Sequence, residues 1–355
     1  CCLIRSLCIH FFVLDCSESM AGDPLFQMQK GIDAIVTSLR SDPHALETVH
    51  ISILAFAGIS KMISPLIDVM SFYPPQLPLG SGTNLSSALN TLMSEIDRQI
   101  KKTSAEQKGD WKPIVYLVTD GKPTDDPTQA IAKWKKEYST KANMIVIGMG
   151  PDADLSQLKQ LTEHTYHFAP ENEIDFRKFI QWVSASISVQ SKSIGMVNED
   201  KMPMASLDKS VVSLLKDIQA TPFQKVDNSC ITLVGRCSKS KKPYLIKYIS
   251  MVSKLAGLDM RLNPGHYNLA GCFHLDESYF EWSDQDVLQD LVSTEQLEGT
   301  PGCPHCGAAT AFAVCACGKL MCLNGPDTVV CPWCSKEITF SPEGGGNCDV
   351  QRSRG

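Results

Sequence analysis

The 355-residue chain is 43% hydrophobic and carries a formal net charge of −6, long enough for two domains that each bury a core. Its acidic balance argues against general nucleic-acid binding. No apolar run approaches the ~20 residues that a bilayer crossing demands, so neither a nucleic acid nor a membrane is an expected partner.

The first predicted element is a strand at residues 9–14, too short for a helix and rich in β-branched and aromatic residues, as buried strands of parallel sheets are. Residues 1–8 read as the approach to this strand rather than a signal peptide, because no small-residue cleavage site precedes the loop that follows. That loop is Asp15-Cys16-Ser17-Glu18-Ser19. In open α/β sheets ligands collect just beyond the carboxyl ends of the strands. Asp15, Ser17 and Ser19 lie on alternate residues of a turning loop there and converge on one point. Hard oxygen donors of low total charge suit a Mg²⁺ ion that keeps several of its waters.

A helix starting at Pro24 follows, with an apolar stripe of Phe26, Ile32, Ile35, Val36 and Leu39. Residues 49–57 are a second buried strand, and residues 62–69 pair antiparallel with it at an edge. Gly80-Ser81-Gly82-Thr83-Asn84 opens onto a helix striped by Leu85, Ala88, Leu89, Leu92, Met93 and Ile96, which sets Thr83 at a strand-to-helix crossing. Residues 113–119 form a further strand that ends in Asp120-Gly121. Asp125 and Asp126 are cap candidates for a helix running to about Tyr138. A strand at 144–149, a short helix near 155–161, a last strand at 164–168 and a closing helix from Ile174 to about Val189 complete the pattern. Alternating strands and helices predict a doubly wound, mostly parallel sheet. His10, His50, His164 and His167 read as core or edge residues, and Trp134 as a packing residue.

Asp15, Ser17, Ser19, Thr83 and Asp120, in that order, resemble the metal-ion-dependent adhesion site of the von Willebrand factor A family, and the likeness covers residues 7–190. The resemblance implies a Rossmann-like fold, no enzymatic activity, and a Mg²⁺ ion whose open position takes a carboxylate from a protein partner. Two alternatives stand beside it. Asp15 could serve as the nucleophile of a Mg²⁺-assisted phosphate hydrolase, although Ser17 stands where aspartyl-phosphate hydrolases carry a second Asp. The site could also be vestigial, its hydroxyls merely capping loops.

After a linker at 191–206 the pattern changes to short strands at 231–234, 244–248 and 267–270. The basic turn at 239–242 reads as a solvated turn or a docking patch for an acidic partner. Of 15 cysteines, four lie at 1–16, none at 17–229 and seven at 303–334. A secreted disulfide protein would spread them through its domains, whereas clustered pairs in a cytoplasmic chain read as metal ligands. Cys303-Pro304-His305-Cys306, Cys315-Ala316-Cys317, Cys322 and Cys331-Pro332-Trp333-Cys334 form thiolate-presenting turns like those of a zinc ribbon. Four of the seven satisfy one Zn²⁺; the other three imply a second ion completed by Cys348, Cys272 or His305. Trp333 reads as packing.

The block as a whole resembles the C-terminal metal-binding domain of the tellurium-resistance TerY-type proteins. That resemblance implies a bacterial cytoplasmic protein acting beside a protein kinase and phosphatase in stress signalling. The expected organisation is an A domain at 1–190, the linker, a β-rich segment at 207–300, a Cys-rich zinc block at 301–340 and a tail at 341–355.

Overall fold

The computed structural model describes residues 7–101, 110–150, 153–169, 172–192, 204–206, 212–214, 226–250, 252–255, 258–261, 265–285, 290–323, 328–340 and 347–354. Strands β1 (Cys8–Asp15), β2 (Val49–Phe56), β3 (Ser60–Asp68), β4 (Ile114–Thr119), β5 (Asn143–Met149), β6 (Thr165–Phe168) and β7 (Val212–Leu214) form one sheet. Their order is β3-β2-β1-β4-β5-β6-β7. β2, β1, β4, β5 and β6 run parallel. β3 and β7 close the two edges antiparallel, so the far edge strand comes from beyond the 191–206 stretch.

Every residue of β1 is buried because helices cover both faces of the sheet. Phe12 and Leu14 join the core under α1 (Asp23–Arg40) and the helix Glu173–Lys192. Ile9, Phe11 and Val13 join the opposite core under the helix Leu85–Gln99. Alternation of side chains across a strand buried twice is what gives the uninterrupted apolar run in the sequence. His10 is wholly buried beside the Cys8 thiol, 3.2 Å away, and burial pushes its imidazole down to about 3. It is a neutral core residue.

The chain leaves β1 toward β2 on one side, while β4 pairs on the other. That switch opens a crevice above the carboxyl ends of β1 and β4, which carry Asp15 and, one residue past β4, Asp120. The helix expected after Asp126 is α-helical at Thr128–Lys133 and widens to a π-turn at Trp134–Tyr138. Asp126 accepts from the Thr128 N–H (3.0 Å) as expected. Asp125 instead receives the N–H groups of Leu85 (2.9 Å) and Ser86 (2.8 Å), capping the helix that follows the Thr83 loop.

The rest of the chain builds a six-stranded sheet around the hairpin β8 (Cys230–Arg236) and β9 (Pro243–Ser250). Tyr267–His274 lines up beside β9 and Leu320–Leu323 runs parallel to β8. The segments 207–300 and 301–340, distinct in composition, therefore contribute strands to one sheet. Asp349–Gln351 pairs with Leu291–Ser293. No described helix is long and apolar enough to cross a membrane.

Candidate metal centres

The five oxygen-bearing residues come from three loops at the crevice. Asp15 is 0% exposed, Thr83 2% and Asp120 7%. Asp15 accepts from the Ser17 N–H (2.9 Å) and, through its other oxygen, from the Thr119 hydroxyl (2.5 Å). Ser17 and Ser19 hydroxyls lie 3.0 Å apart. Thr83 is fixed through its backbone: its N–H donates to the Thr124 hydroxyl (2.8 Å) and its carbonyl accepts from the Thr124 N–H (3.0 Å). Its hydroxyl, in contrast, has no hydrogen-bond partner among the described residues.

Burial, followed by repulsion from Asp120, pushes the Asp15 carboxyl up to about 7; burial likewise raises Asp120. Two buried carboxyls, both raised by burial, and an orphaned buried hydroxyl form a donor set that a hard divalent cation satisfies. The residues fit such an ion.

The thiols of the C-terminal region gather in two groups of four: Cys237, Cys303, Cys306 and Cys322, and Cys315, Cys317, Cys331 and Cys334, each with all sulfurs within 4.8 Å of one another. Zinc–sulfur bonds of about 2.3 Å at tetrahedral angles set sulfur–sulfur edges of about 3.8 Å. The observed edges are 3.7 Å for Cys306–Cys322, 3.7 Å for Cys315–Cys334 and 3.9 Å for Cys317–Cys331. Hydrogen bonds from Ser240 hold the Cys237 thiol down at about 6 against the burial that would raise it, and the Lys336 N–H leads those that hold Cys334 near 7.

The thiol that completes the first group is that of Cys237, and not a side chain of Cys348, Cys272 or His305. Cys237 follows β8 in the tight turn that contains Lys241 at φ 59°, and β8 lies against the strand carrying Cys322. Cys348 is exposed at the far Asp349 strand. His305 turns away from the thiols, its ring nitrogens meeting the Pro243 carbonyl (2.7 Å) and His274 (3.1 Å). The two groups interleave along the chain, which is why spacing alone does not pair them. Part of the basic turn at 239–242 is engaged in this fold.

Residues 11–181 match the von Willebrand factor type A domain and residues 227–355 match the TerY-C metal binding domain. The chain is a von Willebrand factor A protein of the TerY type. It is 24% identical over 156 residues to inter-alpha-trypsin inhibitor heavy chain H1 of Bos taurus, a match that covers 42% of this chain and 17% of that one. Among solved structures it resembles proximal thread matrix protein 1 from the mussel byssus (14% identity, TM-score 0.38, 52% of this chain and 48% of that one). It also resembles a von Willebrand factor type A protein from Catenulispora acidiphila (14% identity, TM-score 0.38, 52% and 43%). A further form of the mussel protein has a zinc-occupied MIDAS motif (17% identity, TM-score 0.34, 50% and 46%).

In this TerY-type chain the TerY-C domain rests directly on the oxygen site. Glu18, wholly buried between the two serines, accepts hydrogen bonds from the hydroxyls of Tyr279, Thr232 (3.1 Å) and Ser353 (2.7 Å). Lys247 on β9 donates to the carbonyls of Ser19 (2.5 Å) and Ala21 (3.1 Å). Lys122, two residues after Asp120, pairs with Asp227 (3.5 Å) and donates to Ser229 (2.5 Å). At the Thr83 loop, the Ser81 N–H donates to Ser283 (3.0 Å) and the Ser81 carbonyl accepts from the Asp284 N–H (3.0 Å). None of these contacts was legible in the motif, because Glu18 occupies a position the motif leaves open.

Proposed function

We propose that this chain is a non-enzymatic adaptor that binds a protein partner through a Mg²⁺ ion held by Asp15, Ser17, Ser19, Thr83 and Asp120. The partner supplies a carboxylate to the open coordination position. Low ligand charge keeps the ion electrophilic, so the incoming carboxylate is bound as a sixth oxygen. The observation that carries this reading is the buried, unpartnered Thr83 hydroxyl beside two buried carboxyls of raised pKa. Asp15 has both oxygens engaged and no exposed surface, which favours a ligand-holding role over a phosphate-attacking one. The TerY-type architecture supports a bacterial cytoplasmic setting in tellurite-resistance or stress signalling, with a protein kinase or phosphatase as the partner. Zinc in the two thiol groups is structural in this reading.

The test is Thr83→Ala, which removes one oxygen without changing charge. Mn²⁺ titration of the purified chain, followed by electron paramagnetic resonance, should show a weakening of at least about tenfold, with zinc content and folding unchanged. Retention of the partner from native-cell extract in Mg²⁺ buffer should fall in parallel. Mn²⁺ binding as tight as wild type would reject the site. Omission of Mg²⁺ is the proper control for retention, since a chelator would also strip the zinc.

A further inference from the structure

The three loops that would hold the ion are all covered by the TerY-C domain, with polar anchors at the loops and an apolar patch beside them in which Ala21 and Leu79 pack with Leu245, Leu275, Tyr279 and Phe273. A carboxylate from another protein cannot reach Asp15, Ser17 or Thr83, each 2% exposed or less, while that domain stays in place. The fit is close: a Cβ on Gly80 would stand 2.5 Å from the Trp282 carbonyl oxygen. At the loops themselves the anchors are polar: hydrogen bonds to the buried carboxylate of Glu18 and from the buried ammonium of Lys247, with Lys122 on Asp227 and Ser81 on Ser283 beside them. Water can replace each of these when the surfaces part, so their net hold is modest.

We propose that the TerY-C domain is a reversible cap on the adhesion face, the occupant that an incoming acidic partner must displace. The cap closes the site through Lys247 on the loop carbonyls and Tyr279 on Glu18, and opening exposes the coordination position. What the opened site binds rests on the adhesion-site reading above; the opening itself does not.

Two full-length variants attack the cap from opposite sides. Lys247→Met with Tyr279→Phe removes anchors on the TerY-C side, and Gly80→Ala inserts a wedge on the A-domain side. Hydrogen exchange of residues 16–21 and 81–84 should speed up by about tenfold or more in both, while β4 stays protected and both zinc ions remain bound. Mn²⁺ added alone as the probe should leave the site about tenfold faster from both variants than from wild type. Exchange and Mn²⁺ release identical to wild type in both variants would overturn the cap. Faster exchange in chains that bind no Mn²⁺ at all would uphold the cap and sink the adhesion-site reading instead.

Discussion

The oxygen site and the thiol sites rest on different supports. The oxygen donors sit at the ends of β1 and β4, strands already buried on both faces by two apolar cores. Thr83 is set by its backbone pairing with Thr124, and Asp15 by Ser17 and Thr119. The thiols instead lie in turns of short strands, and Cys237, Cys303 and Cys322 are themselves part of the apolar cluster around Tyr244 and Ile246. A site built onto a finished sheet loses binding when its ion leaves. A site that supplies the core loses the fold.

The largest effect should therefore come from the first thiol group. Structural zinc contributes on the order of 10 kcal/mol to folding of small domains at neutral pH. Cys237→Ser should unfold the TerY-C domain, lower zinc content from two ions to one or none, and leave the A-domain unfolding transition in place. Zinc analysis with near-ultraviolet circular dichroism reads all three. Two retained ions and unchanged tertiary signal in Cys237→Ser would remove Cys237 from the ligand set.

The second group should matter less. Cys315, Cys317, Cys331 and Cys334 tie the hairpin of Thr328–Val330 and Glu337–Thr339 onto the end of the sheet. Its cluster is small, built on Ala313, Met321 and Cys331. Cys334→Ser should release one zinc and raise exchange in that hairpin, with β8 and β9 still protected. Loss of protection in β8 would show that the two groups fold as one unit.

The contrast also explains what was legible. The A-domain strands announce themselves because burial on both faces leaves apolar runs without polar interruption, and Asp15, Ser17 and Ser19 are neighbours in sequence. Thr83 and Asp120 each end a recognisable loop or strand. Cys237 was missed because its partners are distant in the chain and are brought to it only by the parallel pairing of β8 with Leu320–Leu323. Asp125 looked like a cap for its own helix and caps another one, since a carboxylate at a loop apex serves whichever helix N-terminus packs beneath it. Glu18, the centre of the domain contact, stands at a position that the motif does not fix. A buried carboxylate satisfied by hydroxyls from a second domain leaves no local pattern to read.

The smallest effect sharpens the comparison from the oxygen side, through pH. In the metal-free chain Asp15 titrates at about 7 rather than at its ordinary 3.8, chiefly through burial and then through Asp120. The folded state thus holds a proton that the unfolded chain has already released between these values. That contribution favours the fold fully below pH 3.8 and is lost as pH rises toward about 7. A divalent cation takes the place of the proton, so Mg²⁺ must compete with it below about pH 7 and meets no competitor above. Excess Mg²⁺ should accordingly raise the A-domain Tm at about pH 8 by about 2–4 °C for each kcal/mol of binding, and by much less at about pH 5.5. Comparing the same protein with and without Mg²⁺ at each pH cancels the acid sensitivity of the zinc thiolates. Asp15→Asn, which cannot titrate, should show a weaker metal-free pH dependence, Asp120 still titrating, and no Mg²⁺ gain. An equal Mg²⁺ gain at both pH values would mean that the ion does not displace the Asp15 proton, and would move it away from the end of β1.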